Sequence, residues 1–165
     1  MNRQALVRAV LGTLGVVCAL NILFVPTPLS ANTLHAGIHE HRKTIVTVTV
    51  SVSGTQPWTD PGIALSAGAV VSTTATGMIS FAGGPGNSYS PTGKAGCVGY
   101  DESFVAPTLA CFSLVARIGN SAPFEMGTGK RFLMRTSGHL GLGVNDTLFG
   151  DNSGNWTVTI TVFDP

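Results

Sequence analysis

The stretch Trp156-Thr-Val-Thr-Ile-Thr-Val-Phe163 decides the fold class of this chain. Trp156, Val158, Ile160 and Val162 alternate with threonines. A period of two puts the apolar side chains on one face of a strand and the hydroxyls on the other. The same pattern occurs earlier, where Val46, Val48, Val50 and Val52 alternate with Thr47, Thr49 and Ser51. Between these two runs, residues 69–81 are rich in β-formers around Gly77, and residues 109–118 are apolar enough for a core strand. Residues 131–135 and 139–144 read as two shorter strands. Turn signals separate the runs: Gln56-Pro-Trp-Thr-Asp-Pro-Gly62, and a long Gly/Pro/Ser loop over 83–96. Beyond the N-terminal region no segment repeats with a helical period of 3.6, and no internal repeat is visible. About seven short strands divided by turns predict an all-β, antiparallel β-sandwich.

Composition agrees. Of 165 residues, 44% are hydrophobic and only 10% charged, with 21 glycines. The charged share lies far below the ~25% usual for a soluble domain. Threonine, serine, asparagine and glycine carry the polar character instead, as in exported β-proteins. Disorder is excluded, because it needs low hydrophobicity with high charge. A formal net charge of +1, with no basic cluster interleaved with aromatics, excludes a nucleic-acid partner. The length suits one domain with a real core.

The N-terminus reads as an export signal over residues 1–31. Arg3 and Arg8 precede an apolar run over 9–25, interrupted only by Thr13 and Asn21, and small residues end at Ala31. Cleavage is expected after Ala31, or failing that after Ala36; the alternative is an uncleaved anchor, for which the run is near the lower length limit. Cleavage would remove two arginines and no acid from a formal charge of +1, leaving −1. Cys18 follows Val17, not a small residue, which argues against a lipoprotein signal. Residues 32–43 read as a flexible arm. Its His39-Glu-His41 offers a weak metal pair, although neighbouring histidines in a tail ordinarily hold nothing specific. The folded domain is expected over 44–165, secreted or periplasmic, without stable membrane insertion once the signal is removed, and with homo-oligomerisation open. Cys97 and Cys111 then remain. An even count in an exported chain reads as one disulfide, the alternative being two buried thiols.

Chemistry concentrates in Asn145-Asp-Thr-Leu-Phe-Gly-Asp-Asn-Ser-Gly-Asn-Trp156. Two carboxylates (Asp146, Asp151), two amides (Asn145, Asn152) and two hydroxyls (Thr147, Ser153) crowd a loop bent at Gly150 and Gly154. Oxygen-only donors of this kind suit a hard cation such as Ca²⁺, which takes six to eight oxygens. Asp/Asn/Gly/Ser loops also occur as plain turns, because these residues bond their own backbone. The spacing is not that of an EF-hand.

Three blocks in order resemble the PA-I galactophilic lectin family. They are Gly62-Ile-Ala-Leu-Ser-Ala-Gly68 with Ala75-Thr-Gly-Met-Ile-Ser-Phe81; Leu114-Val-Ala-Arg-Ile-Gly-Asn-Ser121 behind Cys111; and Leu142-Gly-Val-Asn-Asp146 with Phe149-Gly-Asp-Asn-Ser-Gly154. The match spans roughly residues 57–163. The resemblance implies a jelly-roll-like sandwich with one Ca²⁺ at its end, the ion itself ligating two neighbouring sugar hydroxyls. Residue by residue, Asp146 matches the carboxylate that grips the ion, Asp151 and Asn152 the paired side-chain ligands, and Phe81 the aromatic residue offering its backbone carbonyl. The family has an amide where Asp151 stands. A second carbonyl would come from Thr147 or Leu148, in a loop two residues shorter than the family's.

The sugar-selecting half departs from the family. Its galactose binders use a histidine and a glutamine in the loop that here runs over 84–93; this chain offers Asn87, Tyr89, Ser90 and Thr92. The segment between the cysteines is longer and adds Tyr100, Asp101, Glu102 and Phe104. A carbohydrate other than strict galactose is therefore the expected ligand, with Asp146, Thr147, Tyr89 and Ser90 as sugar contacts and Tyr89 or Tyr100 as an apolar face. The competing reading is an accessory module in which Ca²⁺ only pins the loop. Catalysis is not expected: Asp146 and Asp151, so close together, share a cation more naturally than they form a glycosidase pair. His139 has no nucleophile motif around it and reads as a strand-end surface residue.

Overall fold

A computed structural model of the chain describes residues 44–82, 84 and 86–164. The expected signal over 1–31 and arm over 32–43 lie outside the described residues. Among the described residues there is no helix. The strands are β1 (Thr44–Ser53), β2 (Trp58–Thr59), β3 (Ala64–Leu65), β4 (Val70–Ser80), β5 (Ser88–Tyr89), β6 (Leu114–Ile118), β7 (Phe124–Glu125), β8 (Gly129–Leu133), β9 (Gly138–Val144) and β10 (Ser153–Asp164). They form two five-stranded antiparallel sheets, an all-β sandwich as the alternation requires. In the first the order is β1-β10-β4-β5, with β8 also on β4; in the second it is β2-β9-β6-β7, with β3 also on β9.

The two alternating runs meet in the first sheet. β10 lies between β1 and β4, with Trp156 opposite both Val52 and Gly77, and Val158 opposite Val50 and Ala75. The inward faces of these strands pack on Leu114, Ala116, Leu140, Leu142 and Val144 of the second sheet. The threonines face out and form cross-strand rungs, Thr47 to Thr161 and Thr49 to Thr159, each 3.2 Å between hydroxyl oxygens. Gly77 has a φ of +102°, and a Cβ there would come within 2.7 Å of the Asn155 carbonyl. Any side chain at 77 would push β4 off β10 beside the buried Trp156.

Strand limits differ from the sequence expectation in two instructive places. The apolar run 109–118 is strand only from Leu114. Before that, Thr108 and Phe112 adopt positive φ (77° and 60°), and Cys111 is bonded to Cys97. These features turn the backbone out of any extended path. The run 131–135 is shifted to Gly129–Leu133, where pairing with β4 fixes it. The two-residue strands are too short to show a period.

Candidate functional site

The sandwich ends, where β9 passes to β10, in the loop over 145–152. Its first residue is fully buried and wholly engaged. Asn145 Oδ1 accepts the Ala106 N–H at 2.8 Å, while Nδ2 donates to the Ala110 and Leu109 carbonyls at 2.8 and 3.3 Å. The Asn145 carbonyl accepts Phe112 N–H, and the Asp146 carbonyl accepts Val105 N–H. One side chain thus clamps the loop between the cysteines onto the loop of acids and amides. The Cys97–Cys111 disulfide, Cα–Cα 5.4 Å, closes that segment at its base. Asn145 is one of the oxygen-bearing side chains the sequence groups together, and the fold uses it as a brace.

Asp146 is only 5% exposed. Its Oδ1 accepts the Thr147 N–H at 2.7 Å and its Oδ2 the Asn152 Nδ2 at 2.8 Å. A carboxylate has about four lone-pair positions, so two are unused. Asn152, also buried, gives a second hydrogen bond to the Gly54 carbonyl at 2.9 Å. Its Oδ1 is buried with no hydrogen-bond partner among the described residues. A buried carboxylate beside an unsatisfied amide oxygen is costly unless a positive charge accompanies it.

These groups adjoin a cavity of about 200 Å³ bordered by Phe81, Phe112, Asp146, Leu148 and Asp151. Four of the five residues matched to an ion site therefore border one space, and the fifth, Asn152, is hydrogen-bonded to Asp146. Thr147 lines the cavity too. Asp151 is exposed, and Leu148 is 60% exposed at the mouth. Among the described residues no three His, Cys, Asp or Glu side chains gather. Any cation here would rest on two carboxylates, an amide and main-chain carbonyls, the donor set of a hard ion.

The residues assigned to sugar contact are divided. Asp146 and Thr147 line the cavity, whereas Tyr89 lies stacked on Phe112, centroids 5.4 Å apart and planes 6° from parallel. The Tyr89 carbonyl accepts the Trp156 indole N–H at 3.2 Å. Ser90 bonds Thr92, hydroxyl to hydroxyl at 2.7 Å. Phe112 borders the cavity beside Phe81, and sequence reasoning did not select it. It and Ala82, which also borders the space, hold φ of 60° and 50°. Left-handed backbone at non-glycine residues is uncommon and gathers at functional sites. Tyr100, 81% exposed, meets Phe104 edge-on in the disulfide loop. On the other flank of that loop, burial pushes the Glu125 carboxyl up, against hydrogen bonds from Ser113 and the Ala110 N–H and the charge of Lys130. His139 is exposed on β9.

No protein-family model and no curated protein matches the chain. Among solved structures, one described as the EclA N-terminal domain, a PllA-like lectin, superposes with a TM-score of 0.56. The two are 22% identical over 70% of this chain and 95% of that one. What they share is a fold. The sandwich of this chain is lectin-like in architecture. No helix among the described residues is long and apolar enough to cross a membrane.

Proposed function

We propose that the protein is a secreted, calcium-dependent carbohydrate-binding protein whose ion sits at the cavity beside Asp146. The observation carrying this reading is the buried Asp146 carboxylate next to the unsatisfied Asn152 Oδ1. Asp146, Asp151 and Asn152 would hold the ion by side chains, with the carbonyls of Phe81 and Leu148 or Thr147 completing its shell. A bound Ca²⁺ would supply a hard oxygen-coordinating centre with positions left for two adjacent sugar hydroxyls. The chain's own residues set the rest: Asn145 holds the loop in place, Asp151 keeps the mouth acidic, and Leu148 offers an apolar edge. The lectin-like fold of the solved neighbour supports the sugar half of the proposal.

The reading in which calcium is only structural draws on one observation: one face of the half-buried Tyr89 ring is stacked on Phe112, and Tyr89 is not among the residues that line the cavity. The two readings separate cleanly. Saturating Ca²⁺ should stabilise the fold by RT ln(1 + [L]/Kd), about 2.7 kcal/mol at a hundredfold excess over Kd, and Asp146→Asn should abolish the increment. Equal melting temperatures in Ca²⁺ and in EDTA would end both readings. A calcium-stabilised protein that retains no glycan on an array would leave the structural one.

A further inference from the structure

A second constellation lies on the outer face of the second sheet, away from the cavity at Asp146. The alternation that turns Leu140 and Leu142 into the core turns His139, Gly141 and Gly143 outward. Trp58 lies directly on this bare backbone: a Cβ at Gly143 would stand 2.8 Å from the Trp58 ring. Arg117 leans in from β6, where it pairs with Gly141, and a Cβ at Gly141 would stand 3.4 Å from Arg117 Cγ. The guanidinium carbon lies 4.1 Å from the Trp58 ring centroid. Two glycines thus let an indole and a guanidinium settle against the sheet and against each other.

Arg117 then has its position fixed but its donors unused. Its five N–H groups have no hydrogen-bond acceptor and no ion-pair partner among the described residues. A cavity of about 150 Å³ opens at this place, bounded by Trp58, Thr59, Asp60, Arg117 and His139. Asp60 is the acid nearest to hand, yet its Oδ1 accepts the Gly62 N–H at 2.7 Å in a local turn and it makes no ion pair with Arg117. We propose that the Trp58–Arg117 pocket is a binding site for a small monocarboxylate, seated bidentate on the Arg117 fork. A planar guanidinium held by stacking matches a planar carboxylate through two parallel charge-assisted hydrogen bonds. The space suits a small group, and Asp60 at its rim disfavours a dianion such as phosphate. The ring N–H of His139 and the hydroxyl of Thr59 are the further donors at the pocket wall.

The test is a titration of protein stripped of metal and then freed of chelator, which takes any ion at Asp146 out of play, with glucuronate, acetate and glucose as probes. The readout is the indole ¹⁵N–¹H signal and fluorescence of Trp58; Trp156, the other tryptophan, is fully buried. Saturable changes at Trp58 with glucuronate and acetate, and none with glucose, are the expected result. Arg117→Ala should weaken glucuronate binding by about tenfold or more, and Arg117→Lys, which keeps the charge and loses the fork, should recover only part of it. Tighter binding of glucuronate than acetate would add a ring contact to the same site. No saturable change with either carboxylate overturns the proposal, as does an Arg117→Ala variant that binds glucuronate unchanged. A response to glucuronate that needs Ca²⁺ also overturns it, because the carboxylate would then be read at Asp146.

Discussion

The two ends of the first sheet carry the same alternating sequence and finish in different surroundings. Near the candidate site, Val52 faces Trp156 across β1 and β10, and both are fully buried. At the far end Val46 faces Val162 in the same register, yet Val46 is 46% exposed, and Ile45 beside it 59%. Alternation decides which side chains share a face. It does not decide whether anything covers that face. At the site end Phe81 lies against Trp156, with Tyr89, Phe112 and Phe149 packed on the same core, and the loops 97–111 and 145–152 beside them are fastened to each other through Asn145. At the far end, among the described residues, the segment around Ile63 borders a cleft lined by Val46, Val48 and Val162. Energy invested in polar connections is therefore concentrated at the site end, and the two ends should respond very differently to substitution.

The largest effect is expected from Asn145→Ala. Three hydrogen bonds disappear; the buried Ala106 N–H is left without a partner, while the Ala110 and Leu109 carbonyls keep the Ser113 hydroxyl and the Gly99 N–H. One unsatisfied buried donor costs about 1–3 kcal/mol and each of the two further lost hydrogen bonds about 0.5–1.5 kcal/mol, so the variant should lose about 3–5 kcal/mol in chemical denaturation. A loss under about 1 kcal/mol would mean that the loops hold each other without the clamp. Reducing the Cys97–Cys111 bond ranks next. A closed loop of this size contributes about 3 kcal/mol in the chain-entropy view. With Asn145 intact, the reduced protein should fold with a lower melting temperature. If Asn145→Ala is made in reduced protein, the two losses should not add, because both act on one segment.

The strands and the acids were legible in the sequence for different reasons. A period of two is a local property, so β1 and β10 could be located from their alternating apolar residues and threonines, while β4 and β9 were read from β-rich composition and turn signals. The gathering of Phe81, Asp146, Leu148 and Asp151 around one space followed from a resemblance in three separated blocks, since nothing local ties residue 81 to residue 146. Asn145 was misjudged because composition reports that an amide is present, not where its hydrogen bonds go. The positive φ of Phe112 gives no local sign either: phenylalanine has no preference for that conformation, and the disulfide at Cys111 and the Asn145 carbonyl that accepts the Phe112 N–H come from distant segments. Tyr89 looked free because a tyrosine in a Gly/Ser loop ordinarily is, and its partner Phe112 lies in a distant segment. The Trp58–Arg117 pair likewise needed the pairing of β2, β9 and β6 to appear.

The smallest effect should come at the uncovered end. Val46→Thr keeps β-branching and the strand's preference for extended backbone, and exchanges one methyl for a hydroxyl on a side chain already nearly half in water. No buried donor or acceptor is created, so the change in stability should stay within about 0.5 kcal/mol. The matched substitution Val52→Thr, in the same strand and on the same face, places a hydroxyl where exposure is zero. That should cost about 1–3 kcal/mol through desolvation. The pair measures cover directly, since propensity and register are common to both. If Val46→Thr proves as damaging as Val52→Thr, then something outside residues 44–164 shields the far end in solution, and the contrast between the two ends would be lost.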